Sequence, residues 1–376
     1  GKKALLISVL KDSKKDEGRV AATPSAVREL CAHGHTVLVE RDAGLLSGFS
    51  NEQYAAAGAE LVDAKEAYER ADMVYKVKEI LPEEYRYMRK DLIVFTYIHS
   101  NGSREQTDVC LEAGVTGIAY EDVIDRAGKF PLLRPMSEIA GKGGFLAACE
   151  FAKSTNGGCG RLYAKLDGLS APRVTIIGAG CAGIGAAELA SGCGNMVSLV
   201  DIDYYSLEHA KMKLGPNVEF VMSNQENIER LVKQTDLLIN CTLWPKWRTD
   251  HLVSRELVRQ MKEDAMIVDV SCDEHGAIET CRNTYHSDPT YTEEGVLHYC
   301  VGNIPGAYPK DASVALCNAT LPYALAIADK GVVRALSEDA GLRRGLCFYQ
   351  GQLTLEETGR KQNRPYISPE EALGLG

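Results

Sequence analysis

Apolar positions along the chain fall into short β-rich runs separated by segments with helical spacing, and the two alternate almost throughout. Lys3 to Leu10 predicts a first strand. Thr23-Pro24 supplies an N-cap and an N1 proline for a helix running through Leu30. Further strands are predicted at His35 to Glu40, Met73 to Lys78, Leu92 to His99 and Val115 to Tyr120. Helices are predicted at Asn51 to Ala59, Asp63 to Arg70, Pro82 to Arg89 and Arg104 to Glu112. A longer helical pattern covers Ser137 to Lys153, with Gly141, Gly143 and Gly144 interrupting its start, and reads as a bridge between domains. After a Gly-rich turn at Asn156 to Gly160, a second series begins, with strands at 173–177, 196–201, 218–222, 236–241 and 265–270 and helices between them. An apolar helix from Ala312 to Ala328 is expected to return to the first domain. Such alternation predicts parallel sheets with helices on both faces.

At 376 residues the chain exceeds what one hydrophobic core usually serves, which favours two domains. A net charge of -10 argues against nucleic acid or an anionic membrane as the main partner and fits an enzyme of small molecules. The first apolar run, Ala4 to Leu10, is too short for a signal peptide, and no run approaches the ~20 apolar residues of a membrane helix. The 12 cysteines include no C-x-x-C pair, and Cys31, Cys149, Cys193 and Cys317 sit in apolar contexts. That usage predicts reduced, buried thiols and a cytoplasmic protein. Cys272 and His275 lack a second close pair to complete a four-ligand site, so no metal is expected.

The strand run Val174-Thr175-Ile176-Ile177 leads directly into Gly178-Ala179-Gly180-Cys181-Ala182-Gly183 and an Ala-rich helix. Here Gly178 permits the tight turn, Gly180 lets backbone N–H groups approach a pyrophosphate, and Gly183 lets helix and strand pack closely. The next strand ends in Asp201, about 20 residues on, where a carboxylate accepts both ribose hydroxyls and repels a 2′-phosphate. The cofactor is therefore expected to be NAD. The fold class follows as α/β, with two Rossmann-like domains and an active-site cleft between them. A central NAD-binding domain would span 134–308, and a substrate domain would combine 1–133 with 309–376.

Oxidising a small polar substrate with NAD requires charged or polar groups that hold it and an acid/base. The ends of the first domain's strands offer candidates, since open α/β sheets place ligands there. Arg19 follows the first strand and carries a fork suited to a carboxylate. Lys76 and Lys78 share one face of their strand, so at least one should reach the cleft. His99 ends the strand Phe95-Thr96-Tyr97-Ile98-His99 and is an acid/base by its ordinary titration range. Asp273 follows the strand Met266 to Val270 and can hydrogen-bond water or a substrate nitrogen. Spacing alone does not bring these four together.

The chain resembles the alanine dehydrogenase and transhydrogenase family over nearly its whole length. The resemblance rests on Glu17-Gly18-Arg19-Val20-Ala21-Ala22-Thr23-Pro24, Lys76-Val77-Lys78-Glu79, Phe95 to His99, Pro135-Met136-Ser137-Glu138-Ile139-Ala140-Gly141, His286 to Tyr291, His298 to Ala307 and Asn318 to Tyr323. It implies that Arg19 and Lys78 hold the substrate carboxylate and carbonyl and that His99 is the acid/base. It further implies that Asp273 positions water and the amino group, that Met136 and Asn303 line the cleft, and that Ser137 contacts the nicotinamide. Glu79 would orient Lys78. The family also implies a homohexamer acting on a small amino acid and its 2-oxo acid, with L-alanine as substrate.

Three stretches depart from the alanine dehydrogenase pattern. Cys272-Asp273-Glu274-His275-Gly276 stands where Gln-Gly-Gly usually follows the Asp, Leu243 to Arg248 replaces a small loop, and Arg134 replaces a small residue. These pieces are similar to the N-carboxyalkyl amino-acid synthases, such as carboxyethyl-ornithine synthase. The alternative expectation is therefore an opine-type condensation of pyruvate with a second amino acid, with Arg134 or Arg248 holding the extra carboxylate. A transhydrogenase NAD module is a third reading, which the retention of His99 and Asp273 disfavours.

Overall fold

A computed structural model of the chain describes residues 4–273 and 275–376; Lys3 and Glu274 lie outside them. The chain divides into two compact units, one of Gly1–Met136 with Tyr308–Gly376 and the other of Ser137–Ala307.

In the discontinuous unit, strands β1 (Leu6–Val9), β2 (Thr36–Glu40), β3 (Glu60–Val62), β4 (Met73–Tyr75), β5 (Ile93–Thr96) and β6 (Thr116–Ala119) form a parallel array in the order β3-β2-β1-β4-β5-β6. The strands are nearly continuous apolar runs because helices cover both faces. Side-chain caps start the helices where the sequence places them. Thr23 accepts from Ala26 N at 3.2 Å, and Ser50 and Gln53 form a reciprocal capping box.

The Ser137–Ala307 unit holds β7 (Arg173–Ile177), β8 (Met196–Asp201), β9 (Val218–Met222), β10 (Leu237–Asn240), β11 (Met266–Asp269), β12 (Thr290–Glu293) and β13 (Val296–Tyr299), ordered β12-β13-β11-β10-β7-β8-β9. Alternate residues feed two apolar clusters on opposite faces. Ile176, Leu199, Ile239 and Val268 belong to one, and Ile177, Val200, Leu238 and Ile267 to the other.

Neither sheet is purely parallel, contrary to expectation. β12 pairs antiparallel with β13, and β14 (Leu346–Tyr349) lies antiparallel between β6 and β15 (Gln352–Leu353). These pieces carry too few residues to show a pattern, as does β3, whose three residues lie between the helices Asn51–Ala56 and Ala64–Arg70. Pro82–Tyr87 is a 3-10 turn rather than an α-helix, because Glu84 is drawn in to Lys76 at 3.0 Å and to Leu81 N at 2.7 Å. The glycines near its start do not interrupt the long helix, which runs over Arg134–Phe151. Cys193 is exposed and Cys31 and Cys149 are half-buried, so only Cys317 of the four named cysteines is buried as expected.

The apolar helix near the C-terminus spans Pro309–Lys330, and by length and composition it is long enough to cross a membrane, which the sequence reading had not allowed. In this fold it is a core helix of the discontinuous unit. It buries Ala312, Leu316, Cys317, Ala324 and Ile327, and Ser313 accepts Val20 N at 2.9 Å. Asp329 pairs with His33 at 2.8 Å and His35 at 2.7 Å, and Thr320 hydrogen-bonds Tyr75.

Candidate active site

β7 ends the first arm of its unit, and the chain turns sharply there. Gly178 adopts φ +104°, donates to Val200 O at 2.7 Å, and lies where a Cβ would meet the Cys241 carbonyl carbon and oxygen at 2.9 Å. Only glycine meets both demands. A Cβ on Gly183 would sit 1.6 Å from Gly178 O, so the helix Cys181–Gly192 packs at backbone distance onto the turn. Gly180 is different, since a Cβ there would meet nothing within 4 Å. It N-caps the helix without a side-chain hydrogen bond, which leaves open space before a positive helix end. This is the cradle that a pyrophosphate fits.

Asp201 is the last residue of β8, and its carboxylate is already oriented: Oδ2 accepts Ala179 N and Oδ1 accepts Asp203 N, each at 2.8 Å. Each oxygen keeps a further lone pair for a ribose hydroxyl. The same unit contains a packing device that sequence reading took for a helix interruption. A Cβ on Gly141 would lie 1.9 Å from Ala182 O, so the helix Arg134–Phe151 touches the start of the cradle helix through that glycine.

The corresponding place in the discontinuous unit, where β1 and β4 end side by side, is filled with charge. Asp12 lies just past β1, and its carboxylate accepts Lys76 Nζ at 2.9 Å, Val77 N at 3.1 Å and Lys78 N at 3.0 Å. Lys76 Nζ also meets Glu84 at 3.0 Å, and Asp12 and Lys76 side chains are each 1% exposed. Burial opposes the Lys76 charge, but Asp12 and Glu84 hold its ammonium well above the ordinary range. Lys76 is therefore a structural cation, whereas Asp12 meets Lys78 through its backbone N–H. β4 stops at Tyr75 rather than Lys78, and Asp12 takes over the next backbone donors. Thr96 donates to Lys78 O at 2.6 Å, fixing the segment from its other side.

Arg19 is buried against Glu17. Nε and Nη2 donate to the two Glu17 oxygens at 2.9 and 2.6 Å, and Arg19 N donates to the same carboxylate at 2.8 Å. Burial by itself would raise Glu17, yet the Arg19 hydrogen bonds and charge hold its carboxyl below the usual range. Nη1 points to Met136 Sδ at 3.2 Å, so two of the named cleft residues meet. Lys78 belongs to the same cationic group: burial, then Arg19 and Lys14, push its ammonium below the ordinary range. Glu79 and Lys78 act on each other through their charges, though other groups hold both. Glu79 Oε1 is taken by Lys14 at 2.5 Å, and Asp12 rather than Glu79 holds the Lys78 backbone.

β5 ends at Thr96, so His99 lies in the loop rather than on the strand. Its side chain is exposed, and its backbone is left-handed, with φ 51° and ψ 45°. Glu121 accepts both Ile98 N and His99 N at 3.1 Å. Neither Glu17, Asp12 nor Glu121 was singled out for a role by sequence reasoning. Glu17 stood two residues from Arg19 in the same motif, but nothing in the spacing pointed to Asp12 or Glu121.

Asp273, Asn303 and Ser137 belong to the Ser137–Ala307 unit with the glycine turn. Asp273 is exposed beyond β11; Asn303 O accepts His286 Nε2 at 2.5 Å and Gly306 N at 3.1 Å. Beneath Asp273, Asp269 is buried with Asn240 Nδ2 at 3.0 Å and Ser271 N at 3.1 Å as donors, and burial pushes its carboxyl up to about 7. In the departing loop, Arg248 is engaged locally. It pairs with Asp250 through Nη2 at 2.5 Å and stacks 4.1 Å over Trp244, while Leu243 and Trp247 are over 80% exposed. A second substrate carboxylate would have to displace Asp250 to use it. Among the described residues no cluster of three or more His, Cys, Asp or Glu could hold a metal.

Comparison with known proteins places these features in context. The family profile for the alanine dehydrogenase/PNT N-terminal domain matches residues 8–140, and that for its C-terminal domain matches residues 145–356. The chain is 44% identical to an alanine dehydrogenase of Bacillus subtilis over 371 residues, covering 98% of each. It is 41% identical to an alanine dehydrogenase of Methanococcus maripaludis over 371 residues, covering 98% of this chain and all of that one. A solved L-alanine dehydrogenase superposes with a TM-score of 0.91 at 41% identity, covering 96% of this chain and 99% of that one.

Proposed function

Because the chain belongs to the alanine dehydrogenase/PNT family, we propose that it is an NAD-dependent amino-acid dehydrogenase that interconverts L-alanine with pyruvate and ammonia. The observation that carries this reading is full-length identity of 41–44% to proteins named alanine dehydrogenase, with a pyrophosphate cradle at Gly178–Gly183. NAD, when bound, supplies the hydride acceptor in the forward direction. Gly178, Gly180, Gly183 and Asp201 hold it, with Ser137 at the nicotinamide end. Asp201 would repel a 2′-phosphate. The Ser137–Ala307 unit thus serves the cofactor and the discontinuous unit the substrate.

The remaining roles follow from the chain's own groups. Arg19 receives the substrate carboxylate on the side of its guanidinium that faces Met136, because the Nε edge belongs to Glu17. Lys78 donates to the developing carbonyl oxygen. Its depressed range makes it a better proton donor than an ordinary lysine. His99 moves the proton, Asp273 positions water and the nitrogen, and Asn303 lines the substrate site. The reading of a homohexamer rests on the family resemblance. The twelve free thiols fit a reducing compartment, the cytoplasm.

A substrate screen tests this. NAD should be reduced with L-alanine at alkaline pH, and NADH oxidised with pyruvate and ammonia. If turnover instead requires pyruvate with lysine or ornithine, the opine-type reading replaces it. His99→Ala and Asp273→Ala should each lose about 10²-fold or more in kcat while still binding NADH.

A further inference from the structure

We propose that Glu121 is the positioning residue of His99, fixing the backbone turn that presents the imidazole. The inference rests on the acid/base reading of His99. The β5–β6 ladder ends at the pair Thr96 and Ala119, so the donors Ile98 N and His99 N fall beyond it. Glu121, two residues past β6, reaches back with one oxygen to each, at 3.1 Å. A non-glycine residue in the left-handed basin is strained and needs its surroundings to hold it there. Here the surroundings are on both sides of the residue. Gln106 donates to Ile98 O at 2.8 Å, Gly102 N donates to His99 O at 3.0 Å, and Glu121 takes the two N–H groups. Without Glu121 the two N–H groups lose these acceptors, and the left-handed turn that carries the imidazole is loosened.

The clamp is bidentate only as a carboxylate. Protonation turns one oxygen into a donor facing an N–H, and one of the two bonds is lost. Burial, reinforced by neighbouring Asp122, pushes Glu121 up to about 7, while the bonds from Ile98 N and His99 N pull it down. Asp122 is itself pushed up by burial to about 6, with Arg344 pulling it down and Glu357 adding to the rise. Arg344 also donates to Asp122 O at 2.7 Å. Tyr97 lies on the β5 side and senses the Glu121 charge. The turn is therefore firm above neutral pH and loosened below it.

Glu121→Gln keeps the shape and one acceptor but presents an NH2 to the second N–H. In pyruvate reduction with ammonia and NADH, kcat should fall about 10- to 100-fold, the cost of a misplaced catalytic group. KM for pyruvate and the dissociation constant for NADH should stay within about twofold. The acid side of the kcat–pH profile should flatten, and Glu121→Asp should recover part of the loss. A His99→Ala/Glu121→Gln double variant should be no slower than His99→Ala. Unchanged kcat in Glu121→Gln, a loss shared equally by NADH binding, or a double variant slower by the full product of the two effects would each overturn the proposal. If His99→Ala alone turns over normally, it is the reading of His99 that fails.

Discussion

The two sheets share one winding, with the first strand of each unit flanked by its second and fourth, yet the gap at those strand ends is filled in opposite ways. Between β7 and β10 the chain contributes almost no volume. Gly178 lies against the Cys241–Thr242 backbone, and space stays open at Gly180. Between β1 and β4 the gap holds three charged side chains: Asp12, Lys76 and Glu84. Topology decides that a ligand site forms at this crevice. What occupies the crevice differs: one has open space at a helix end, while the other has a charged plug that fixes the Lys78 backbone.

The buried acids sharpen the contrast. Asp12 has the Lys76 ammonium as its partner. Among the described residues, Asp269 has only the neutral side-chain donors Asn240 and Cys281 and is pushed up to about 7 by burial. Removing the first should have the largest effect. Asp12→Ala leaves the buried Lys76 ammonium with Glu84 as its remaining carboxylate, removes the acceptor of Val77 N and Lys78 N, and should destabilise the protein by about 3–5 kcal/mol, read by denaturant unfolding. Lys76→Met with Asp12→Asn should recover much of that.

Asp269→Asn comes next, and its sign depends on pH. Burial raises the folded carboxyl from 3.8 to about 7, so its favourable contribution is complete below pH 3.8 and is lost as pH rises through 7. The variant should match the parent in acid and gain on it by up to about 4 kcal/mol toward pH 8, since each tenfold rise in proton affinity on folding corresponds to about 1.4 kcal/mol. Melting temperatures at pH 5 and pH 8 check this, and a constant difference would refute it.

Arg19→Lys keeps the charge but loses the fork that Glu17 grips. Transition-state binding should weaken by about 1.5–3 kcal/mol, expressed mainly in KM for pyruvate, with NADH affinity unchanged. Gly180→Ala should be the mildest. The added methyl meets nothing within 4 Å, so stability should hold, but the phosphates must approach this backbone and NADH affinity should fall about tenfold. Equal losses of stability and affinity would mean that the cradle is a packing feature instead.

Periodicity made the parallel strands legible, because fully buried runs such as Ile93–Thr96 and Leu237–Asn240 have no alternative reading. The glycine turn was legible because each glycine answers a distinct steric demand. The antiparallel edges were not, since two to four residues carry too little pattern. The expected strands carry His99 and Lys78, but each strand ends three residues earlier. Those ends are set by Glu121 and Asp12, carboxylates that reach across from 22 and 66 residues away in sequence. Local spacing has no signal for such a partner.

The interleaved order of the units bears on how the protein is made. The Ser137–Ala307 unit is contiguous and can close as soon as it leaves the ribosome. The other cannot. Its edge strand β6 stays open until Leu346–Tyr349 has been synthesised, and Val20 and Tyr75 wait for Ser313 and Thr320. For the time needed to translate more than two hundred residues, the nascent first half carries an unpaired parallel edge, the kind of surface that recruits chaperones or neighbouring chains. Slow translation or truncation within Pro309–Lys330 should therefore convert the amino-terminal half, rather than the Ser137–Ala307 unit, into the aggregating species.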